Sequence, residues 1–218
     1  MTPPHRLLDR TSGTVVLLHG MGRTRLSMRR AARKLAGMGW RTRLVGYPSL
    51  TRPIEELASH VAERLVGELR PLHFVTHSLG GLVLRRLLRD RRLPAVGRTV
   101  MLAPPNRGSE LARRLAVFGR VVPAMRVLAR TEAELDEFFG PIEGEVLVVA
   151  GSRAIGPLRW VTGSSNDGIV TVEETGANPC VVHAGHTFIM NSPDVLVVVD
   201  RFLRTGEAGL GAAEHARS

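Results

Sequence analysis

Short apolar runs of strand length alternate along the chain with longer stretches in which apolar residues recur every three or four positions. The runs fall at residues 14–18, 41–45, 72–75, 99–103, 145–150 and 179–183, most of them rich in valine and leucine. Between them, residues 23–37 place Met28, Ala31, Ala32, Leu35 and Ala36 at helical spacing, and residues 54–69 do the same with Leu57, Val61 and Leu65. Helical patterns also cover 79–88 and 193–204. Six strands alternating with helices predict an α/β domain built on a compact, mainly parallel six-stranded sheet flanked by helices. The segment 109–139 is too long for a single crossover helix. Leu111, Leu115, Phe118 and Val122 share one face there, and Leu135, Phe138 and Phe139 form a second cluster. It reads as two helices packed over the sheet, either a short helical cap with an apolar wall or ordinary core.

Residues 1–204 are expected to form one domain, because no linker divides them and 218 residues suffice to bury roughly 70% of the unfolded surface. The tail 205–218, rich in Gly, Ala and charge, is expected to fray. No apolar run approaches the roughly 20 residues that span a bilayer, and the first ten residues have no apolar segment of signal-peptide type. Cys180 is the only cysteine, so no internal disulfide can form. These features predict a cytoplasmic protein, with export of a longer precursor as the alternative. The net charge of +10 comes almost wholly from arginine, since Lys34 is the only lysine. The arginines are dispersed, and Arg85/Arg86, Arg91/Arg92 and Arg113/Arg114 neighbour leucines at helical spacing, as on solvated helix faces. With aromatics at 4% and no nucleic-acid motif, specific nucleic-acid binding is not expected.

In a parallel sheet, ligands bind beyond the carboxyl ends of the strands. His19, Ser78, Pro104, Asp167 and His186 all lie at or after such ends. Ser78 stands where the run 72–75 gives way to helix-forming residues, in Thr76-His77-Ser78-Leu79-Gly80-Gly81. A serine on a strand-to-helix turn with a small residue two places on has the pattern of a nucleophile elbow. Thr76 occupies the place where a glycine usually stands, and its branched side chain has to be accommodated. His19-Gly20-Met21-Gly22 follows the first run, and glycines there let the backbone turn tightly and present amide N–H groups. A serine needs a base to become nucleophilic, and a histidine base needs a carboxylate to hold its tautomer. Ser78, Asp167 and His186 supply those types in that order.

The chain resembles small bacterial-type lipases and esterases of the α/β-hydrolase superfamily. The resemblance rests on His19-Gly20-Met21-Gly22, the Thr76–Gly81 segment, Ala103-Pro104-Pro105-Asn106-Arg107-Gly108-Ser109, Asn166-Asp167-Gly168-Ile169-Val170 and Gly185-His186. It implies an α/β-hydrolase fold shortened by two strands, with Ser78 as nucleophile, Asp167 as acid and His186 as general base. The oxyanion donors it implies are the backbone amides of Met21 and Leu79. It further implies a carboxylic-ester hydrolase acting on a small-molecule or lipid ester through an acyl-serine, with no cofactor and with room for peripheral contact with lipid. A thioesterase or acyltransferase would use the same acyl-serine, and a catalytically silent relative would serve as a binding module.

Neighbouring residues compete for these roles. His183 falls in the end of the last apolar run, whereas His186 follows glycine in a loop. Glu173 and Glu174 open the next helical stretch, where solvated acids are common. His77 is expected to point to the other side of the elbow and support the turn, and His19 to be structural. His5, His60, His73 and His215 have no partner signal, and no spacing suggests a metal site.

Overall fold

The computed structural model describes residues 13–93, 96–114, 121–154 and 165–208. Six strands form one sheet: β1 (Thr14–Leu18), β2 (Arg41–Val45), β3 (Leu72–His77), β4 (Val96–Leu102), β5 (Val146–Gly151) and β6 (Cys180–Val182). Their order is β2-β1-β3-β4-β5-β6, and every pairing is parallel, so the mainly parallel sheet expected from the sequence is wholly parallel. The α-helices among the described residues are α1 (Arg29–Gly37), α2 (Ile54–Arg64), α3 (Leu79–Arg89), α4 (Glu110–Arg114), α5 (Pro123–Leu128), α6 (Glu132–Phe139), α7 (Val172–Thr175) and α8 (Pro193–Thr205).

Alternation along each strand divides the core in two. Val16, Leu18, Leu72, Phe74 and Met101 face α2 and α3, whose Leu57, Val61, Leu82 and Leu87 are buried against them. Val15, Leu17, Val75, Val100, Leu102 and Val149 face α1 and α8, meeting Leu35, Val195, Val199 and Phe202. Side chains one residue apart on a strand point to opposite faces, so a near-continuous apolar run is what a sheet covered on both sides requires.

Several boundaries differ from the sequence expectation. The helix expected from residue 23 begins as a 3-10 turn over Arg25–Met28 and becomes α-helical only at Arg29. Thr24 ends the preceding loop and caps that turn through its side-chain oxygen. The helix expected over 54–69 stops at Arg64, with Leu65 folding its N–H back on Ala62, and leaves Val66 and Leu69 exposed. The described residues of segment 109–139 hold three helices, α4, α5 and α6, rather than two; Leu115 and Phe118 lie outside the described residues. Ala112, Ala124, Val127, Leu128, Leu135 and Phe139 join the α2–α3 side of the core. Arg85 of α3, only 4% exposed, fastens this segment by donating to the carbonyls of Asn106 (3.1 Å) and Gly140 (2.9 Å) and to Asp136 (3.3 Å). Most of the expected tail, from residue 209, is also outside the described residues, as is most of the loop between β5 and residue 165. No helix among the described residues is long and apolar enough to cross a membrane.

Candidate active site

The chain leaves β1 toward β2 on one side and returns to lay β3 on the other. The loops after β1 and β3 therefore diverge from adjacent strands and open a crevice between them, the position where ligands bind in open α/β sheets. The His19–Gly22 loop and Ser78 lie at that crevice. Ser78 has φ 51° and ψ −123°, a backbone conformation in which a residue with a side chain is strained by on the order of 1–3 kcal/mol. It is held there from both sides: its N–H donates to the Leu102 carbonyl (2.9 Å), and its own carbonyl accepts from Gly81 N–H (2.9 Å).

Crowding decides which residues this turn tolerates. A Cβ on Gly80 would stand 2.8 Å from the Leu18 carbonyl oxygen and 2.9 Å from that of His19, both immovable backbone atoms. Thr76 is fully buried. A Cβ on Gly81 would lie 3.4 Å from Thr76 Oγ1 and 3.1 Å from Pro104 Cβ. The buried Thr76 hydroxyl has no hydrogen-bond partner among the described residues.

Asp167 and His186 meet directly, with Oδ2 and Nδ1 2.7 Å apart and both residues buried. The carboxylate is oriented by a tight turn in which Asn166 bridges to Thr171. Asp167 Oδ1 accepts from the N–H groups of Ile169 (3.0 Å) and Val170 (2.8 Å), while His186 N–H donates to the Asp167 carbonyl (3.0 Å). Because Oδ2 accepts a hydrogen bond from Nδ1–H, the other ring nitrogen of His186 carries a lone pair and can accept a proton. The competing acids are otherwise engaged or turned away. Glu174 accepts from Thr171 N–H (2.8 Å) and Glu110 N–H (2.6 Å), strapping α7 to α4, and Glu173 is exposed. His183 stands just past the end of β6 and is exposed, not enclosed in the strand as expected.

His77 does more than support its own turn. Its ring lies 4.8 Å from that of His186, and its Nε2–H donates to the His186 carbonyl at 2.9 Å. Burial, aided by the neighbouring His186, holds its pKa well below 6.5, so the ring is neutral. Two cavities flank the site. One, of about 110 Å³, is lined by Ser78, Met21, Pro105, Leu111, Met125 and Val170, so the α4–α5 segment both fills core and forms an apolar wall. The other, of about 710 Å³, is bounded by Asp167, His186, Phe188, Arg30, Arg153 and His183; Ile169 borders both. Leu79, the first residue of α3, is fully buried.

The same architecture recurs in solved structures. Bacillus licheniformis lipase BlEst2 in mature form superposes with a TM-score of 0.74 at 17% identity, over 90% of this chain and 94% of that one. The metagenomic carboxyl esterase MGS0156 gives 0.65 at 18%, over 92% and 73%.

The chain has the α/β-hydrolase fold.

Phospholipase PlaB from Legionella pneumophila shares this fold over 75% of the present chain, with a TM-score of 0.59 and 18% identity, and the chain spans only 45% of it. No protein-family model and no curated protein matches the sequence. Within the α/β-hydrolase fold, the residues that sequence reasoning missed are Tyr47 and Ser49. They follow β2 and contact the loop after β1. Only the sheet order, which sets β2 beside β1, brings them there.

Proposed function

We propose that the chain is a serine carboxylic-ester hydrolase with Ser78 as nucleophile, His186 as general base and Asp167 as the acid that orients it. The observation that carries this reading is the buried 2.7 Å pairing of Asp167 with His186, whose carbonyl is bonded by His77, the residue before a serine held at φ 51°. Ser78 Oγ attacks the ester carbonyl while its proton passes to His186 Nε2. The tetrahedral oxyanion is met by the amides of Met21 and Leu79. Collapse breaks the bond to the alcohol, which takes the proton from His186 and leaves an acyl-serine. Water, activated by the same histidine, then releases the acid.

The cavity at Ser78 supports a short acyl group. At about 110 Å³ it is smaller than the roughly 150 Å³ apolar cavity that accepts a benzene ring. Hydrolysis of p-nitrophenyl esters from acetate to palmitate tests this, with an optimum at butyrate or shorter expected and abolished by Ser78→Ala. Activity confined to palmitate would replace the short-chain esterase with a lipase, and no activity on any ester would remove the reading.

A second reading, a thioesterase, is favoured by the 710 Å³ cavity against His186, which leaves room for a bulky leaving group and has Arg30 and Arg153 on its rim. Butyryl-CoA turned over faster than the oxygen ester would select it.

A further inference from the structure

We infer that Tyr47, Ser49 and His19 form a clamp that fixes the Gly20–Met21 peptide, so that the Met21 N–H is aimed at the oxyanion before substrate arrives. The inference rests on the ester-hydrolase reading and names residues outside its triad and its two amide donors.

Three consecutive peptide units of the loop after β1 are each held by a side chain. The carbonyl of His19 accepts a hydrogen bond from the Tyr47 hydroxyl. That of Gly20 accepts from His19 Nδ1 at 2.8 Å. The N–H of Gly22 donates to Ser49 Oγ at 3.1 Å. The middle contact matters most, because a trans peptide is planar: fixing the Gly20 carbonyl fixes the Met21 N–H to point the opposite way. The His19 ring that makes this contact is itself immobilised. It stacks on Tyr47 with centroids 4.1 Å apart and planes 14° off parallel, and its Nε2 accepts from Tyr47 N–H at 3.3 Å.

The protonation states agree with these directions. Accepting at Nε2 and donating at Nδ1 makes His19 the neutral Nδ1–H tautomer, and burial lowers its pKa in the same sense. Burial raises the pKa of the Tyr47 phenol, which therefore keeps the proton it donates. His19, Ser49 and Tyr47 are at most 6% exposed, so their side chains are largely shielded from bulk water. The clamped loop ends beside the nucleophile, since a Cβ on Gly20 would come within 3.2 Å of Ser78 Cβ, and Met21 shares the cavity with Ser78. Donors that are already oriented cost nothing to reorganise as charge develops, which is why preorganised amides stabilise a transition state more than a ground state.

Tyr47→Phe keeps the ring stack and deletes one hydroxyl; Ser49→Ala deletes another. Each is expected to lower kcat for p-nitrophenyl butyrate about 10–100-fold, the range reached by misplacing a catalytic group or weakening one oxyanion donor. KM should stay within about twofold in both, since ground-state binding does not use the amide fully. Inhibition by 1-butaneboronic acid, which adds to serine as a tetrahedral anion, should weaken by the same factor as kcat. Loss of stability alone would not link kcat to boronate affinity while sparing KM. The two substitutions act through different atoms, so either one decides if the other fails to fold. An active wild type whose variants match it in kcat and boronate affinity, or lose only KM, overturns the clamp alone. A wild type that neither hydrolyses esters nor takes a fluorophosphonate overturns the ester-hydrolase reading, and the clamp with it.

Discussion

His77 Nε2 lies 2.9 Å from the backbone carbonyl of His186, so the residue before the elbow serine holds the loop that carries the proposed base. The bond needs a donor at the ε position. His77→Gln places an amide N–H near that point, whereas His77→Phe fills the space and donates nothing. His77→Phe should lower kcat about tenfold or more with KM little changed, and His77→Gln should recover most of it. Equal losses in the two variants would assign His77 a packing role only.

The same histidine links stability to pH. His77 and His19 are both buried with pKa values depressed below 6.5, so below that pH the unfolded chain takes up protons that the folded chain refuses. Stability is therefore complete above pH 6.5 and falls with acid until the folded-state pKa is reached. The limiting slope is about 1.4 kcal/mol per pH unit for each histidine. Urea denaturation between pH 7.5 and 5.5 measures it, and His77→Gln should flatten the dependence. An unchanged slope in that variant would contradict the assignment.

Among the described residues the buried hydroxyl of Thr76, opposite Gly81, has no hydrogen-bond partner. Thr76→Val keeps the shape and removes the unsatisfied group, and it should stabilise the protein by about 1 kcal/mol in urea denaturation without loss of activity. Destabilisation would mean that the hydroxyl is satisfied in solution.

Arg85 joins α3 to the loop after β4 and to the end of α6. Arg85→Met would leave the Asn106 and Gly140 carbonyls without this donor and should cost about 3 kcal/mol, measured in the same way. Asp136→Ala should cost under about 1 kcal/mol, because that carboxylate is 62% exposed.

How much of this was legible in the sequence depends on whether a feature is local to the chain. Strands Thr14–Leu18 and Arg41–Val45 coincide with the runs that predict them, and Asp167 and His186 stand out as loop residues after strand ends. Boundaries set by tertiary contacts were not readable. The start of α1 is delayed because the chain first forms the 3-10 turn Arg25–Met28 capped by Thr24, and α2 ends once its apolar stripe has no more core to cover. The contacts of His77 with His186, and of Tyr47 and Ser49 with the β1 loop, span 109, 28 and 27 residues. They depend on strand order, which a single chain does not state.

The central claim, that Ser78 is a nucleophile activated by the Asp167–His186 pair, is tested most directly with a fluorophosphonate followed by mass mapping of the modified residue. The account predicts label on Ser78 of the wild type, none on Ser78→Ala, and labelling slowed on the order of 10³–10⁴-fold in Asp167→Asn, where the histidine loses its orienting carboxylate. Folded wild-type protein that takes no label, or takes it on another residue, would contradict it.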